Sequence, residues 1–173
     1  MKKTTPVKNV ILIGMPGAGK STVGVLLAKA MGRYFLDTDV LIQAVQNAGL
    51  RELIDRHGLD GFCEIERQYT ECLDITNAVI ATGGSVVYYD SAMQHLKQTG
   101  RVIYLELSLE ILQQRLDDVA GRGVVIEPGQ TLQSLYEKRK PLYEKYADIT
   151  IHTAGLNHEQ VVGKILRQMI PLL

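Results

Sequence analysis

An excess of either charge is missing from this sequence: its 173 residues carry 19 lysines and arginines against 19 aspartates and glutamates. A chain so balanced has no global positive field to gather phosphate backbones or acidic lipid, so neither nucleic acid nor a membrane is an expected partner. Long apolar runs are missing too. None approaches the roughly 20 residues needed to cross a bilayer. Met1-Lys2-Lys3-Thr4-Thr5 leads into a strand-like segment rather than a signal core, which makes cytoplasmic residence the expectation. Cysteine is scarce, with only Cys63 and Cys72. On one helix their spacing is about half a revolution out of phase at ~100° per residue, which turns them to opposite sides and argues against a disulfide. No Cys-x-x-Cys or Cys/His cluster offers the spacing of a structural metal site.

What is present is enough apolar side chain, 46%, to build one sizeable core, so a single domain over residues 1–173 is expected. Val10-Ile11-Leu12-Ile13 has the length and continuity of a buried strand; glycines and an amphipathic stretch from Ser21 to Met31 follow at once. The alternation recurs at Tyr34-Phe35-Leu36, Ala78-Val79-Ile80-Ala81, Val102-Ile103-Tyr104-Leu105 and Ile149-Thr150-Ile151, with helical periodicity between. Strands buried on both faces and joined by helical crossovers predict a three-layer α/β/α fold around a five-stranded, mostly parallel sheet. Residues 44–76 are too long for a simple crossover and read as a helical insertion walling a cleft, broken near Gly49 and Gly58 to Gly61. Residues 118–130, rich in glycine, read as a lid.

The strongest chemical signal is Gly14-Met15-Pro16-Gly17-Ala18-Gly19-Lys20-Ser21, the Gly-x-x-x-x-Gly-Lys-Ser pattern between a strand and a helix. Its glycines let successive N–H groups converge on phosphate oxygens, and the following helix adds its positive end. Pro16 has no N–H, so the donors come mainly from residues 17 to 21. Lys20 supplies a point charge for the β- and γ-phosphates, and Ser21 a hydroxyl for Mg²⁺. ATP and Mg²⁺ are the expected cofactors. Asp37-Thr38-Asp39 emerges at the carboxyl edge of the second strand, where open α/β sheets bind ligands. One carboxylate can support the metal and the other can face an acceptor hydroxyl, while the alternative for Asp39 is a cap on a helix starting near Val40.

These segments, with Ala81-Thr82-Gly83-Gly84 and Arg139-Lys140-Pro141-Leu142-Tyr143, resemble the shikimate kinase family over nearly the whole chain. The resemblance implies an enzyme that phosphorylates a hydroxyl of a small, carboxylate-bearing acceptor, shikimate, in aromatic amino-acid biosynthesis; a monomer is expected. It implies a donor site of Gly14, Gly17, Ala18, Gly19, Lys20, Ser21 and Thr22, with Arg115 near the adenine. Asp37 joins Ser21 at the metal. Asp39, Gly83, Gly84 and Arg139 take the acceptor, with Arg139 on its carboxylate, and Arg122 in the lid reaches the transferring phosphoryl group. Lys20, Asp39 and Arg122 are thus the expected catalytic set.

Two features depart from the family pattern. Its Phe-Arg-x-x-Glu is Phe62-Cys63-Glu64-Ile65-Glu66 here, and a cysteine cannot replace the two charge-assisted bonds that a guanidinium forks onto a carboxylate. That loss is worth a few kcal/mol, or roughly two decades of affinity. The third family glycine is Ser85, and the lid reads Arg122-Gly123-Val124-Val125. Arg67, one turn after Cys63, is a possible substitute for the missing arginine; pairing with Glu64 or Glu71 is the alternative. Three other readings stay open: a different small hydroxylated acceptor, a nucleotide-binding regulatory protein, and a nucleoside monophosphate kinase.

Overall fold

The computed structural model describes residues 8–117, 129 and 131–169. The described residues alternate strand and helix as the sequence pattern demands: β1 (Asn9–Ile13), α1 (Lys20–Met31), β2 (Tyr34–Asp37), α2 (Thr38–Gln46), α3 (Leu50–Glu71), β3 (Ala78–Ala81), α4 (Asp90–Thr99), β4 (Gly100–Glu106), α5 (Leu109–Asp117), α6 (Leu132–Tyr146), β5 (Ile149–His152) and α7 (His158–Met169). A short 3-10 turn, Val86–Tyr88, follows β3. The strands form one sheet in the order β2-β3-β1-β4-β5 with every neighbouring pair parallel. The expected mostly parallel sheet is wholly parallel in the described residues.

Every residue of β1 and β3 is buried. Successive strand side chains point to opposite faces, so unbroken burial requires cover on both sides of the sheet. That cover is the main core, which joins the central strands to Val23 and Leu27 of α1, Met93 and Leu96 of α4, Tyr143 of α6 and Ile165 of α7. β3 lies between β2 and β1 and all three are parallel, which leaves their carboxyl ends side by side. The loops leaving these three ends meet side chains from α3, α5 and α6 at the site described below.

The expected insertion over 44–76 corresponds to the end of α2 and to α3. It has a small core of its own, in which Ile42, Ala48, Leu53 and Phe62 are buried together. Asn47 ends α2 with a left-handed backbone, and Gly58 breaks α3 with φ 70°, ψ 172°. The break is confined to Gly58; Gly61 sits within the helix. Cys63 is buried and Cys72 exposed, as opposite faces of one helix require. The lid reading over 118–130 lies almost wholly outside the described residues, and Arg122 with it. Among the described residues no helix is long and apolar enough to cross a membrane.

Candidate active site

The loop after β1 builds the first half of the site from backbone. Gly17 and Gly19 adopt φ 79° and 92°, conformations that a side chain disfavours. Gly19 is the N-cap of α1 and offers no side chain to its free donors. The first helical hydrogen bond runs from the Val23 N–H to the Gly19 carbonyl, so the N–H groups of Lys20, Ser21 and Thr22 have no partner within the helix. These free donors, the helix dipole and a lysine together suit a polyanion. Lys20 Nζ folds back on the loop, donating to the carbonyls of Gly14 (2.8 Å) and Met15 (3.1 Å). Burial lowers its pKa; Asp39 opposes that shift, while Arg139 reinforces it. Arg115 reaches across from α5 and donates to the Gly17 carbonyl at 3.2 Å, which places its guanidinium at the same loop.

The second half is assembled from side chains on four elements. Asp37 closes β2 and caps α2: its Oδ1 accepts from the N–H groups of Asp39 (3.0 Å) and Val40 (3.3 Å). The capping role weighed for Asp39 therefore belongs to Asp37, and α2 begins at Thr38 rather than near Val40. The cap occupies Oδ1 of Asp37 and leaves the other oxygen to a ligand. Asp39, released from that duty, turns into the cleft. Burial raises its pKa, and Lys20 works against the rise.

Thr38, wholly buried, accepts a hydrogen bond from the Gly83 N–H at 2.9 Å and so locks the turn after β3 against the start of α2. Gly83 has no room for a side chain. A Cβ there would overlap the Glu66 carboxylate and lie 2.8 Å from Asp39 Oδ1. At Gly84 a Cβ would stand 2.7 Å from an Arg139 guanidinium nitrogen and 3.4 Å from the Pro16 ring. The two glycines are therefore where acceptor loop, phosphate loop, Asp39 and Arg139 converge. From α6, Tyr143 donates to the Gly84 carbonyl (2.9 Å) while its ring stacks on Tyr104 of β4. Arg139 is 6% exposed, with Nε donating to the Tyr88 hydroxyl (3.0 Å) and its guanidinium over the Tyr88 ring. The remaining guanidinium nitrogens, beside Gly84, can fork onto an anion.

Arg67 is not brought to this cleft. Its guanidinium binds Glu64 through two nitrogens (2.8 and 2.5 Å) and Glu71 through one (2.5 Å) on the outer side of α3. Its substitution for an arginine at position 63 finds no support in these contacts. Glu66 was missed as a site residue, because a glutamate in a helical pattern reads as surface. The signal that could have found it is its place as the glutamate of the Phe-Arg-x-x-Glu pattern, together with the burial of Phe62 and Cys63 on the same face. The side chain is 1% exposed and its pKa is pushed up to about 8, chiefly by burial and then by Asp39.

The arrangement couples a polyanion cradle to a cleft holding one guanidinium and a carboxylate aimed at a hydroxyl. A family model for shikimate kinase matches residues 16–170. The chain belongs to the shikimate kinase family. A shikimate kinase of Synechococcus sp. is 40% identical over 95% of this chain and 86% of its own length. That of Thermodesulfovibrio yellowstonii is 37% identical over 93% and 94%. The shikimate kinase of Acinetobacter baumannii, solved in complex with shikimate, superposes with a TM-score of 0.86 at 34% identity, covering 95% of this chain and 94% of that one. Membership makes the chain an ATP-dependent kinase with a hydroxyl acceptor, and removes the nucleoside monophosphate kinase reading.

Proposed function

We propose that this chain transfers the terminal phosphoryl group of ATP to a hydroxyl of shikimate, giving shikimate 3-phosphate. The observation that carries the reading is the convergence of Asp39, Gly83, Gly84 and Arg139 beside Lys20 and Pro16. A carboxylate-bearing polyol needs a buried cation for its carboxylate and an oxygen acceptor at its reacting hydroxyl; Arg139 and Asp39 supply these on opposite sides of one short turn.

The residues present fit ATP and Mg²⁺, because among the described residues the N–H groups of Lys20, Ser21 and Thr22 have no partner and the Lys20 ammonium hydrogen-bonds only to carbonyls. Gly14, Gly17, Ala18, Gly19, Lys20, Ser21 and Thr22 would hold the phosphates, and Arg115 the adenine side. Ser21 and the free oxygen of Asp37 would hold the metal. Bound ATP·Mg²⁺ supplies the phosphoryl group and neutralises part of its charge. Lys20 stabilises the phosphoryl oxygens, Asp39 orients the attacking hydroxyl and accepts its proton, and Arg139 anchors the acceptor carboxylate. Arg122, outside the described residues, is assigned the phosphoryl group. With Cys63 in place of a second arginine, Arg139 holds the acceptor carboxylate alone.

A coupled ADP-release assay with shikimate tests the proposal. Shikimate-dependent ADP formation, with shikimate 3-phosphate as product, is expected. The reading fails if a purified enzyme that turns over ATP with another polyol or hydroxy acid leaves shikimate untouched. The pairing of Cys63 with an unmatched carboxylate at Glu66 favours that second reading, a differently substituted hydroxylated acceptor on the same machinery.

A further inference from the structure

A carboxylate shielded as fully as that of Glu66 is costly unless hydrogen bonds or an ion pair replace its water. The charged groups facing it come from three elements: Asp39 on α2, Lys20 on α1 and Arg139 on α6. The two cations are committed elsewhere, Lys20 to the carbonyls of Gly14 and Met15 and Arg139 to Tyr88, and among the described residues neither forms an ion pair with Glu66. The only side chain that binds its carboxylate there is Ser85, whose hydroxyl donates to Oε2. Oε1 is buried without a partner, and it is the oxygen that fills the space over Gly83 beside Asp39 Oδ1.

Each neighbour of this pair supports the same assignment. Ser85 is held in place by the turn that follows it, where its carbonyl accepts from the Tyr88 N–H at 3.0 Å. Cys63, three residues before Glu66 on the same buried face of α3, lies against Ser85, with the Glu66 carboxyl and the Arg139 guanidinium nearby. No other polar side chain competes for Oε2 among the described residues.

We propose that Ser85 is a positioning residue for acceptor recognition: by donating to Oε2 it fixes the Glu66 carboxylate over Gly83, presenting Oε1 to a hydroxyl of the acceptor other than the one phosphorylated. This rests on the reading of the cleft as the acceptor site. Without the serine hydroxyl the carboxylate is free to rotate toward Arg139 or Lys20 and the presented oxygen is lost. The effect falls on acceptor binding and spares the nucleotide, whose contacts lie on the other loop.

Steady-state kinetics of Ser85→Ala against both substrates tests the inference. A rise of about tenfold in shikimate KM is expected, from the loss of one buried hydrogen bond to the Glu66 carboxyl, while kcat and the KM for ATP stay within about twofold. In a Glu66→Ala background the same serine change should have no further effect on shikimate KM, because Ser85 acts only through Glu66. An unchanged shikimate KM in the single variant, or an equal rise in the two backgrounds, overturns the inference. A carbon-13 titration of the Glu66 carboxyl in the ligand-free protein needs no acceptor. Ser85→Ala should raise its pKa, and an unmoved value overturns the inference whatever the substrate. If the carboxyl shifts while the parent enzyme ignores shikimate, the acceptor assignment fails and the positioning role stands.

Discussion

The two halves of the site are built from different materials. At the donor end the binding groups are mainly backbone donors of one continuous loop, with Lys20 folded onto it and Arg115 reaching it from α5. At the acceptor end they are side chains from α2, α3, α6 and the turn after β3; Thr38, Glu66, Ser85 and Arg139 are buried, and hydrogen bonds tie them to that turn or to each other. A backbone cradle tolerates any side chain that leaves its glycines alone. A constellation of buried side chains changes meaning with each substitution, which is why Cys63 and Ser85 alter what the cleft can hold while the phosphate loop is untouched.

The contrast can be broken most sharply at Lys20. Lys20→Ala should lower kcat by about 10²–10³, the loss typical of one preorganised charge, with folding unchanged by circular dichroism; a fall below tenfold would show that the loop works without its lysine. Next in size is Arg139→Met, which should raise shikimate KM roughly a hundredfold while leaving ATP affinity by calorimetry within about twofold. An equal loss of ATP affinity would erase the distinction between the halves.

A smaller effect separates them by pH. Glu66 carries a pKa raised from 4.5 to about 8, so between those values the folded chain holds a proton that the unfolded chain has released. Its contribution to stability is whole below 4.5 and is lost as pH rises toward about 8. Urea midpoints of the ligand-free enzyme should fall across that window, and Glu66→Gln should flatten the fall; an unaltered slope would place the titration elsewhere. Least of all should Arg67→Ala matter: shikimate KM stays within about twofold and stability drops by no more than about 0.5 kcal/mol, as for other pairs three or four residues apart on a helix. A large KM effect would return Arg67 to the acceptor site.

The donor half was legible in the sequence because its information is local. Eight consecutive residues between a strand and a helix specify a loop whose function lies in its backbone, and β1 and α1 fall where the pattern puts them. The acceptor half depends on contacts across the chain. Which aspartate caps α2 is decided by a single backbone turn, and the pattern Asp37-Thr38-Asp39 is compatible with either. Glu66 and Arg67 are adjacent in a charged helix, yet one is entombed and the other pairs at the surface. Nothing in their spacing distinguishes them, since the helix face is set by where Phe62 and Cys63 find their core. The break in α3 was placed well at Gly58 and too broadly at Gly61, because glycine permits a non-helical backbone without demanding one.

Pro16 and Gly84 meet at the seam between the halves, with the proline ring 3.4 Å from where a side chain at 84 would begin. A side chain at position 84 would press directly on the phosphate loop. A chemist linking a nucleotide to an acceptor mimic would therefore start from a short tether, because the loops assigned to its two ends lie against each other at this seam.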